Sequence, residues 1–440
     1  MAFSFRGGIH PNSSKSATNQ KPIEIMPAPN IVILPVSMHI GAPCRVLVNV
    51  SDTVDLGQPI AEPVGFVSAP VHATVSGKVI AVEPRLHPNG SKVLSVVIEN
   101  DFEDRLHSSV TPLDFDHMTN DERIEAIQNG GIVGHGGATF PAHVKIKSGV
   151  GKVDVLILNG AECEPYITSD HRMLLEHADE IVGGARMLLR ILGVKKAYIG
   201  IEDNKKDVFP EIIRLCAGIP ELSLAPLKSK YPQGAEKQLI YAVTGREVPS
   251  GKLPADARCA VFNVDTAASI YRLFTYGRPV LRRIVTVSGS AIREPKNLHC
   301  RIGTPLKDLV AACGGFQAPP NKLIMGGPMM GVSQFSLDVP VIKGTNAFLA
   351  FCGKEDARVE HPVCIRCGKC VEACPIHLLP IYMNISAANY DLEACREDGV
   401  LDCIECGSCA FVCPAKIPLV QQFRAAKQRI IEQNRTKSAK

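Results

Sequence analysis

The chain has 440 residues, of which 45% are hydrophobic, 21% charged and 5% aromatic, with no tryptophan and a formal net charge of +4. That length asks for three or four domains rather than one core. So small a charge and so few aromatic rings argue against a nucleic-acid partner, and no apolar run approaches the ~20 residues that cross a bilayer. The polar start, Met1 to Lys21, lacks the apolar core of a targeting segment, so no leader is expected.

Residues 1–105 read as short strands with many turns. Val46-Leu47-Val48-Asn49-Val50, Gly57-Gln58-Pro59-Ile60 and Val75-Ser76-Gly77-Lys78-Val79 alternate apolar with small or polar residues, which predicts a small β-sandwich. The pattern resembles the barrel-sandwich hybrid of biotinyl and lipoyl domains. Those carry a modified lysine at a hairpin tip. The corresponding stretch here, Ser68-Ala69-Pro70-Val71-His72, has none, so a docking module without a swinging arm is expected.

Residues 106–280 alternate strand and helix. Val153–Asn159 and Lys196–Glu202 have the apolar runs of buried strands, while His171–Leu192 and Asp207–Ala217 read as helices. This alternation predicts an α/β layer on a parallel sheet. A glycine-rich loop, Gly130-Gly131-Ile132-Val133-Gly134-His135-Gly136-Gly137-Ala138-Thr139-Phe140-Pro141, precedes His143, Lys145 and Lys147. It is not G-x-G-x-x-G, because Thr139 stands where the third glycine belongs. Gly245 to Gly251-Lys252 fails as a P-loop, because Leu253 stands where Ser or Thr must hold magnesium. Bare backbone amides beside two lysines do suit a phosphate, a plain turn being the alternative. Asn159-Gly160-Ala161-Glu162-Cys163-Glu164-Pro165-Tyr166, then Asp170-His171-Arg172, follows a strand, where functional side chains of α/β folds gather. Solvated loop carboxylates are the alternative there.

Residues 281–350 return to β patterning with Arg283-Ile284-Val285-Thr286-Val287, and Thr304–Leu309 starts a short helix. Residues 351–425 hold two cysteine runs offset by 39 residues, an internal repeat. Residues 426–440 form a basic tail; Arg424 to Lys440 carries six basic residues against one acidic, either a solvated helix end or a contact for an anionic partner or lipid surface.

Of 16 cysteines, eight fall in the runs Cys364-x2-Cys367-x2-Cys370-x3-Cys374-Pro375 and Cys403-x2-Cys406-x2-Cys409-x3-Cys413-Pro414. Such grouping reads as metal binding in a reducing compartment, the cytoplasm, rather than as disulfides. Three cysteines two apart wrap one cubane, and the fourth, before proline, ligates the other. Cluster 1 therefore takes Cys364, Cys367, Cys370 and Cys413, and cluster 2 takes Cys403, Cys406, Cys409 and Cys374. Gly368 and Gly407 let each loop hug its cluster without a side chain. A zinc ribbon is the competing assignment, but zinc has no use for the third and fourth cysteine of each run. The other eight, Cys44, Cys163, Cys216, Cys259, Cys300, Cys313, Cys352 and Cys395, read mostly as small buried hydrophobes.

Phe5-Arg6-Gly7-Gly8-Ile9-His10-Pro11, the glycine loop, Asn159–Glu164 and the paired cysteine runs together resemble the C subunit of Rnf electron-transport complexes, in order and over essentially the whole chain. The glycine loop and the Asn159 segment are also similar to the flavoprotein subunit of respiratory complex I, which binds FMN and oxidises NADH. The resemblance implies a multidomain α/β and α+β protein: a barrel-sandwich hybrid, a Rossmann-like α/β FMN/NADH domain, a β-grasp domain of the soluble-ligand-binding type over 284–332, and a helical ferredoxin-like domain with two [4Fe–4S] clusters.

It also implies roles. Gly134, Gly136, Gly137 and Lys145 match the loop that holds FMN, the lysine near the phosphate. Asn159 and Glu162 match flavin-contacting positions, and Phe140 and Glu164 match positions that meet the nicotinamide nucleotide. Tyr231-Pro232-Gln233-Gly234-Ala235-Glu236 looks like a Tyr-x-x-Gly-Glu-Glu element, in which Gly234 and Glu236 match and Ala235 departs. Lys252 sits where a nucleotide-contacting lysine is found, and Asn263 and Thr266 match the residues that close the flavin site. His135 stands in place of an arginine and Ala161 in place of an aspartate, departures that bear on the flavin contacts and not on the clusters. The implied activity is electron transfer between NADH, FMN and the clusters, with no general base required. The implied partners are the membrane subunits and ferredoxin-like subunit of the complex, and ferredoxin indirectly. The setting is peripheral, at the cytoplasmic face of a prokaryotic inner membrane. A microcompartment cobalamin reductase would use the same parts, and a wiring scaffold with a decayed flavin site would keep the clusters alone.

Overall fold

The computed structural model describes residues 2–353 and 362–438. Parts of the two last predicted stretches, 354–361 and 439–440, thus lie outside the described residues. The first residues of the chain do not stay with the sandwich that follows them. Phe3 bridges Leu227, Ile9 bridges Tyr231, and β1 (Ile23–Ile25) runs parallel to a strand at Lys296–Arg301. Within the predicted 1–105 stretch, the sandwich strands themselves begin at Ile31. The reason is that the opening segment has no apolar face of its own, so its backbone groups pair with the edges of other sheets.

The sandwich is built from β2 (Ile31–Pro35), β3 (Arg45–Val46), β4 (Thr53–Val54), β5 (Pro59–Glu62), β6 (Val71–His72), β7 (Gly77–Leu86) and β8 (Lys92–Asn100). Sheet β2-β8-β7-β4 faces the smaller β3-β5-β6 across Val32, Leu34, Val79, Val96, Ile98, Ile60 and Val71. The lysine-free stretch Ser68–His72 is buried, and Pro70 accepts a 2.7 Å hydrogen bond from the buried Lys343 Nζ.

Helices α1 (Asn120–Asn129) and α2 (Ala142–Gly149) flank the glycine loop, and α1 opens with a capping box between Thr119 and Glu122. Then follow β9 (Val155–Gly160), α3 (Ser169–Glu176), α4 (Ala178–Leu192), β10 (Ala197–Glu202), α5 (Phe209–Cys216), β11 (Leu222–Leu227), α6 (Glu236–Thr244), β12 (Cys259–Asn263) and α7 (Val264–Tyr276). The sheet is parallel throughout, in the order β11-β10-β9-β12. Residues 171–192 do not form one helix, because His177 leaves helical geometry (φ −138°, ψ 36°) and separates α3 from α4. A 3-10 turn over Asp203–Val208 delays α5 to Phe209, with Pro210 in its first turn, where a missing N–H costs nothing.

The third domain is β13 (Arg282–Ser288), β14 (Lys296–Arg301), α8 (Leu306–Ala312), β15 (Lys322–Met325), β16 (Val332–Gln334) and β17 (Ala347–Phe351), giving the sheet β1-β14-β13-β17-β15-β16. Antiparallel β13–β14 and parallel β13–β17 pairing around α8 give a β-grasp arrangement. The last domain is helical: α9 (Lys369–Glu372), α10 (Pro380–Ala388), α11 (Leu392–Glu397), α12 (Ser408–Val412) and α13 (Leu419–Ser438). Gly368 and Gly407, at φ 77° and 81°, precede α9 and α12, so both cysteine runs turn on the same left-handed step. The basic tail continues α13, whose inner face, Val420, Phe423, Ala426 and Ile430, is buried on this domain. Among the described residues no helix is long and apolar enough to cross a membrane.

Helices α4 and α7 pack with their backbones in contact at Gly184, where an added Cβ would lie 1.9 Å from the Ala267 carbonyl oxygen. Gly184→Ala should therefore lower the chemical-denaturation midpoint, at a cost of about 1–3 kcal/mol. Gly218→Ala, at an open position, should leave it nearly unchanged.

Candidate flavin and cluster sites

The carboxyl ends of β9 and β12 lie side by side, and the glycine loop arches over them. The loop closes on itself through Gly134 N–H donating to the Phe140 carbonyl (2.9 Å) and a bridge between Val133 and Pro141. Its root is buried. The His135 amide donates to Thr266 Oγ1 (3.0 Å) and its Nδ1 contacts Asp265 Oδ2 (3.1 Å), with Arg283 paired to the same carboxylate. Burial, with Arg283 close by, holds the imidazole well below its ordinary pKa, hence neutral.

The loop's crest is open. Gly136 passes Asn263 so closely that an added Cβ would sit 3.3 Å from its side chain, and Gly137 stands at φ 154° with nothing within 4 Å. Residues 136–138 are exposed. One turn into α2, Lys145 Nζ donates to Glu236 Oε1 (2.5 Å) and to the Val261 carbonyl (2.7 Å), 5.5 Å above the Phe262 ring. Asn159 Nδ2 donates to the Gly234 carbonyl (2.8 Å), while its Oδ1 accepts from Ala161 (3.2 Å). Asn263 caps α7 through Oδ1 and donates from Nδ2 to Asp170 Oδ2 (2.7 Å). Gly134, Gly136, Gly137, Lys145, Asn159, Gly234, Glu236, Asn263 and Thr266 thus meet around one mouth, with half-buried Phe140 at its rim. Exposed glycine amides with a lysine beside them fit the phosphate of a flavin mononucleotide.

Three predicted residues sit otherwise. Glu162, at φ 47°, caps α3: its carboxylate accepts from the Asp170 (2.6 Å) and His171 (3.3 Å) amides, with Lys15 Nζ at 3.7 Å. Glu164 accepts from the Met329 (3.0 Å) and Met330 (2.9 Å) amides of the β-grasp domain, and burial pushes its carboxyl up to about 7. Lys252 is exposed on the 245–253 loop, apart from the mouth, and that loop reaches instead to the helical domain through Ser250 and Asp402 (2.7 Å).

Other participants escaped prediction. Arg283 looks like the start of an apolar strand. Cys163, half-buried, accepts from the Gly234 amide (3.3 Å) beside Tyr231 and Cys406, which the small-hydrophobe reading of scattered cysteines hid. Asp170 lies in a stretch singled out above and Asp265 between Asn263 and Thr266; that both meet at Asn263 is not readable from the sequence.

The helical domain holds two cavities. One, about 340 Å³, is lined by Cys374, Cys403, Cys406 and Cys409; the other, about 450 Å³, by Cys364, Cys367, Cys370 and Cys413. The fourth cysteine of each run stands with the first three of the other. All sixteen thiols are free. Among the described residues no three His, Cys, Asp or Glu side chains converge on a position for a single ion. Four thiols set around a cavity, rather than converging on one point as tetrahedral zinc requires, suit a polynuclear cluster. The second run is braced by Lys427 Nζ on the Cys403 carbonyl (2.5 Å) and by Arg424 and Lys427 on Glu405 (2.8 and 2.9 Å).

The family models that match run in the same order: an RnfC barrel sandwich hybrid domain over residues 3–103, a Nuo51 FMN-binding domain over 127–272, an SLBB domain over 284–333 and a 4Fe-4S dicluster domain over 363–417. Fold and site together define an electron-transfer flavoprotein that holds FMN and two [4Fe–4S] clusters in one chain. The C subunit of the curated Na(+)-translocating ferredoxin:NAD(+) oxidoreductase complex of Acetobacterium woodii is 49% identical, over 98% of both chains. Its proton-translocating counterpart in Clostridium ljungdahlii is 47% identical over 97% of this chain and 94% of its own, and the corresponding protein of the ion-translocating oxidoreductase complex of Rhodobacter capsulatus is 42% identical over 99% and 85%. The chain belongs to this family, the C subunits of the ion-translocating Rnf-type oxidoreductase complexes. A solved NAD+-reducing [NiFe]-hydrogenase chain shares the fold at TM-score 0.52 and 19% identity, over 70% of this chain and 63% of that one.

Asp170 supplies a pH test. Burial, and then Glu162 nearby, raise its carboxyl from 3.8 to about 7. A carboxyl whose pKa is higher folded than unfolded contributes stability below the unfolded value and loses it as pH rises through the folded one. The thermal midpoint should therefore fall from about pH 4 to about pH 7 and level off above. Asp170→Asn, which keeps an acceptor for Asn263, should flatten that decline in a differential scanning series.

Proposed function

We propose that this chain is the NAD(H)-reacting subunit of a membrane-bound complex that couples ferredoxin–NAD redox chemistry to ion movement, attached peripherally at the cytoplasmic face of a prokaryotic membrane. A flavin exchanges electrons in pairs with a nicotinamide and singly with iron–sulfur clusters, and so supplies the converter between them. The observation that carries the reading is the convergence of an open amide cradle with two interleaved four-thiol cavities in one polypeptide.

Each residue then has a task. Gly136, Gly137 and their neighbours present amides to the phosphate, and Lys145 neutralises it, exchanging its Glu236 partner for the ligand. Gly134, Asn159, Gly234, Asn263 and Thr266 shape the floor on which the ring system rests. Phe140, at the rim, borders the nicotinamide side, and Lys252 meets the distal nucleotide if its loop swings inward. Glu162 and Glu164 act through the backbone they hold: the first anchors α3 under the mouth, the second clamps the β-grasp loop. Cys364, Cys367, Cys370 and Cys413 hold one cluster, and Cys403, Cys406, Cys409 and Cys374 the other.

Lys145→Ala should weaken FMN binding about 10- to 100-fold, the worth of one charge-assisted hydrogen bond, in a fluorescence titration of apoprotein with FMN. Anaerobically purified protein should contain about eight irons per chain. Cys374→Ser and Cys403→Ser should abolish the same paramagnetic signal, although they lie in different runs, while Cys367→Ser abolishes the other. Loss of different signals by the first two would refute the crossed assignment.

A further inference from the structure

The two cavities are not equivalent. The Cys374–Cys403–Cys406–Cys409 cavity is pressed against the rest of the chain by the backbone of its own cysteine runs. Tyr231 Oη donates to the Cys406 carbonyl (2.6 Å), Gly8 N–H to the Ala373 carbonyl (3.0 Å) and Gln238 Nε2 to the Pro375 carbonyl (3.2 Å). Gly7 leaves no room for a Cβ against the Cys374 carbonyl (2.6 Å). Three of its four cysteines are buried. The other set points outward: Cys364 and Cys367 are exposed and Cys370 and Cys413 half-buried. Around it, Val363 and Ile365 are 75% and 68% exposed, and Tyr382 and Ile385 project from the outer side of α10, whose Ile381 and Asn384 line the same cavity. Arg366, Lys369 and Lys416 are exposed there, and no carboxylate pairs with them among the described residues; Glu372 is the one acid between residues 362 and 388.

We propose that this face is where the chain exchanges electrons with its partner, a one-electron carrier protein with an acidic surface around its own redox centre, and that the inner cysteine set lies between this face and the flavin mouth. The proposal rests on the cofactor reading above. An apolar centre ringed by basic side chains is the composition of a transient redox contact: the charges steer and orient an acidic partner, and the exposed apolar residues exclude water at closest approach. One electron crosses per encounter, oxidising one centre and reducing the other, with no bond made or broken. The inner set is less accessible: three of its thiols are buried, and Tyr231, Gly7 and Gly8 sit on the backbone beside Cys374 and Cys406.

Two measurements test this. In anaerobically reduced holoprotein, an anionic dysprosium chelate in solution should enhance relaxation of the paramagnetic signal that Cys367→Ser removes, and leave the signal that Cys403→Ser removes nearly untouched. Equal enhancement of both, or the reverse order, overturns the proposal. In membranes carrying the assembled complex, Tyr382→Asp with Ile385→Asp, and separately Lys416→Glu, should slow reoxidation of the NADH-reduced clusters by the rest of the complex about tenfold. The Lys416→Glu effect should shrink as salt is raised. Bleaching of the flavin by NADH should be unchanged in both. Unaltered reoxidation in both variants overturns the docking face. Absence of cluster signals or of NADH bleaching in the unmodified protein would instead sink the cofactor reading itself, so the two failures are distinguishable.

Discussion

The hydrogen bond from Tyr231 to the Cys406 carbonyl marks the seam on which the architecture depends. On one side stands the carboxyl edge of the parallel sheet, with Asn159, Gly234 and the flavin mouth; on the other stands a cluster cavity. Electron transfer between cofactors falls steeply with separation, so the seam must be close and must stay registered. The chain holds it from three directions. Its opening segment threads between Tyr231 and Ala373, Glu164 clamps the β-grasp loop at Met329 and Met330, and Arg424 and Lys427 fix the second cysteine run through Glu405. The first two of these end on backbone groups, which sets distance without demanding a particular side chain opposite.

The glycine loop shows what such registration costs. His135, Asp265 and Arg283 are buried together, and Asp170 shares Asn263 with them. Buried ionic groups seldom stabilise a fold over apolar packing, and removing one partner is strongly unfavourable. Their return here is geometric. Through Asp265 and Thr266 the loop root is tied to the start of α7, whose cap is Asn263, so cradle and floor move as one piece. His135 fits this: a neutral imidazole can be buried against Asp265 because Arg283 already supplies the positive charge.

Much of this was legible in the sequence because it rests on local periodicity or fixed spacing. Cysteines two apart, with a glycine between the second and third, specify a loop around a cubane, and the fourth position names its partner run. Apolar runs at 153–159 and 196–202 specify buried parallel strands. What was hidden depends on contacts far apart in the chain. Met1 to Lys21 carries no apolar pattern, so its role as a strap, Lys15 donating to the Glu162 and Ile167 carbonyls among other contacts, was unreadable. The division of 171–192 into α3 and α4 turns on one residue, His177, whose type forbids neither state. Glu162 and Glu164 were visible as carboxylates in a functional loop. Their protein partners, the α3 amides and the β-grasp amides, were not readable.

The crossed cysteine runs add a constraint of their own. Since Cys374 completes the second run's set and Cys413 the first's, neither run makes a four-thiol site alone. The residues between them, α10 and α11, pack with α13 around Met383, Cys395, Phe423 and Ile430 in a small core that cluster ligation would reinforce. Ligation of either cluster would therefore tie the two runs together across that core. Gly7 and Gln238 meet the backbone of the first run at Cys374 and Pro375, and Tyr231 meets that of the second at Cys406, so both runs together form the seat against the flavin domain. The path from flavin mouth to outer thiols thus depends on both runs at once, since each supplies a thiol to the other's cavity.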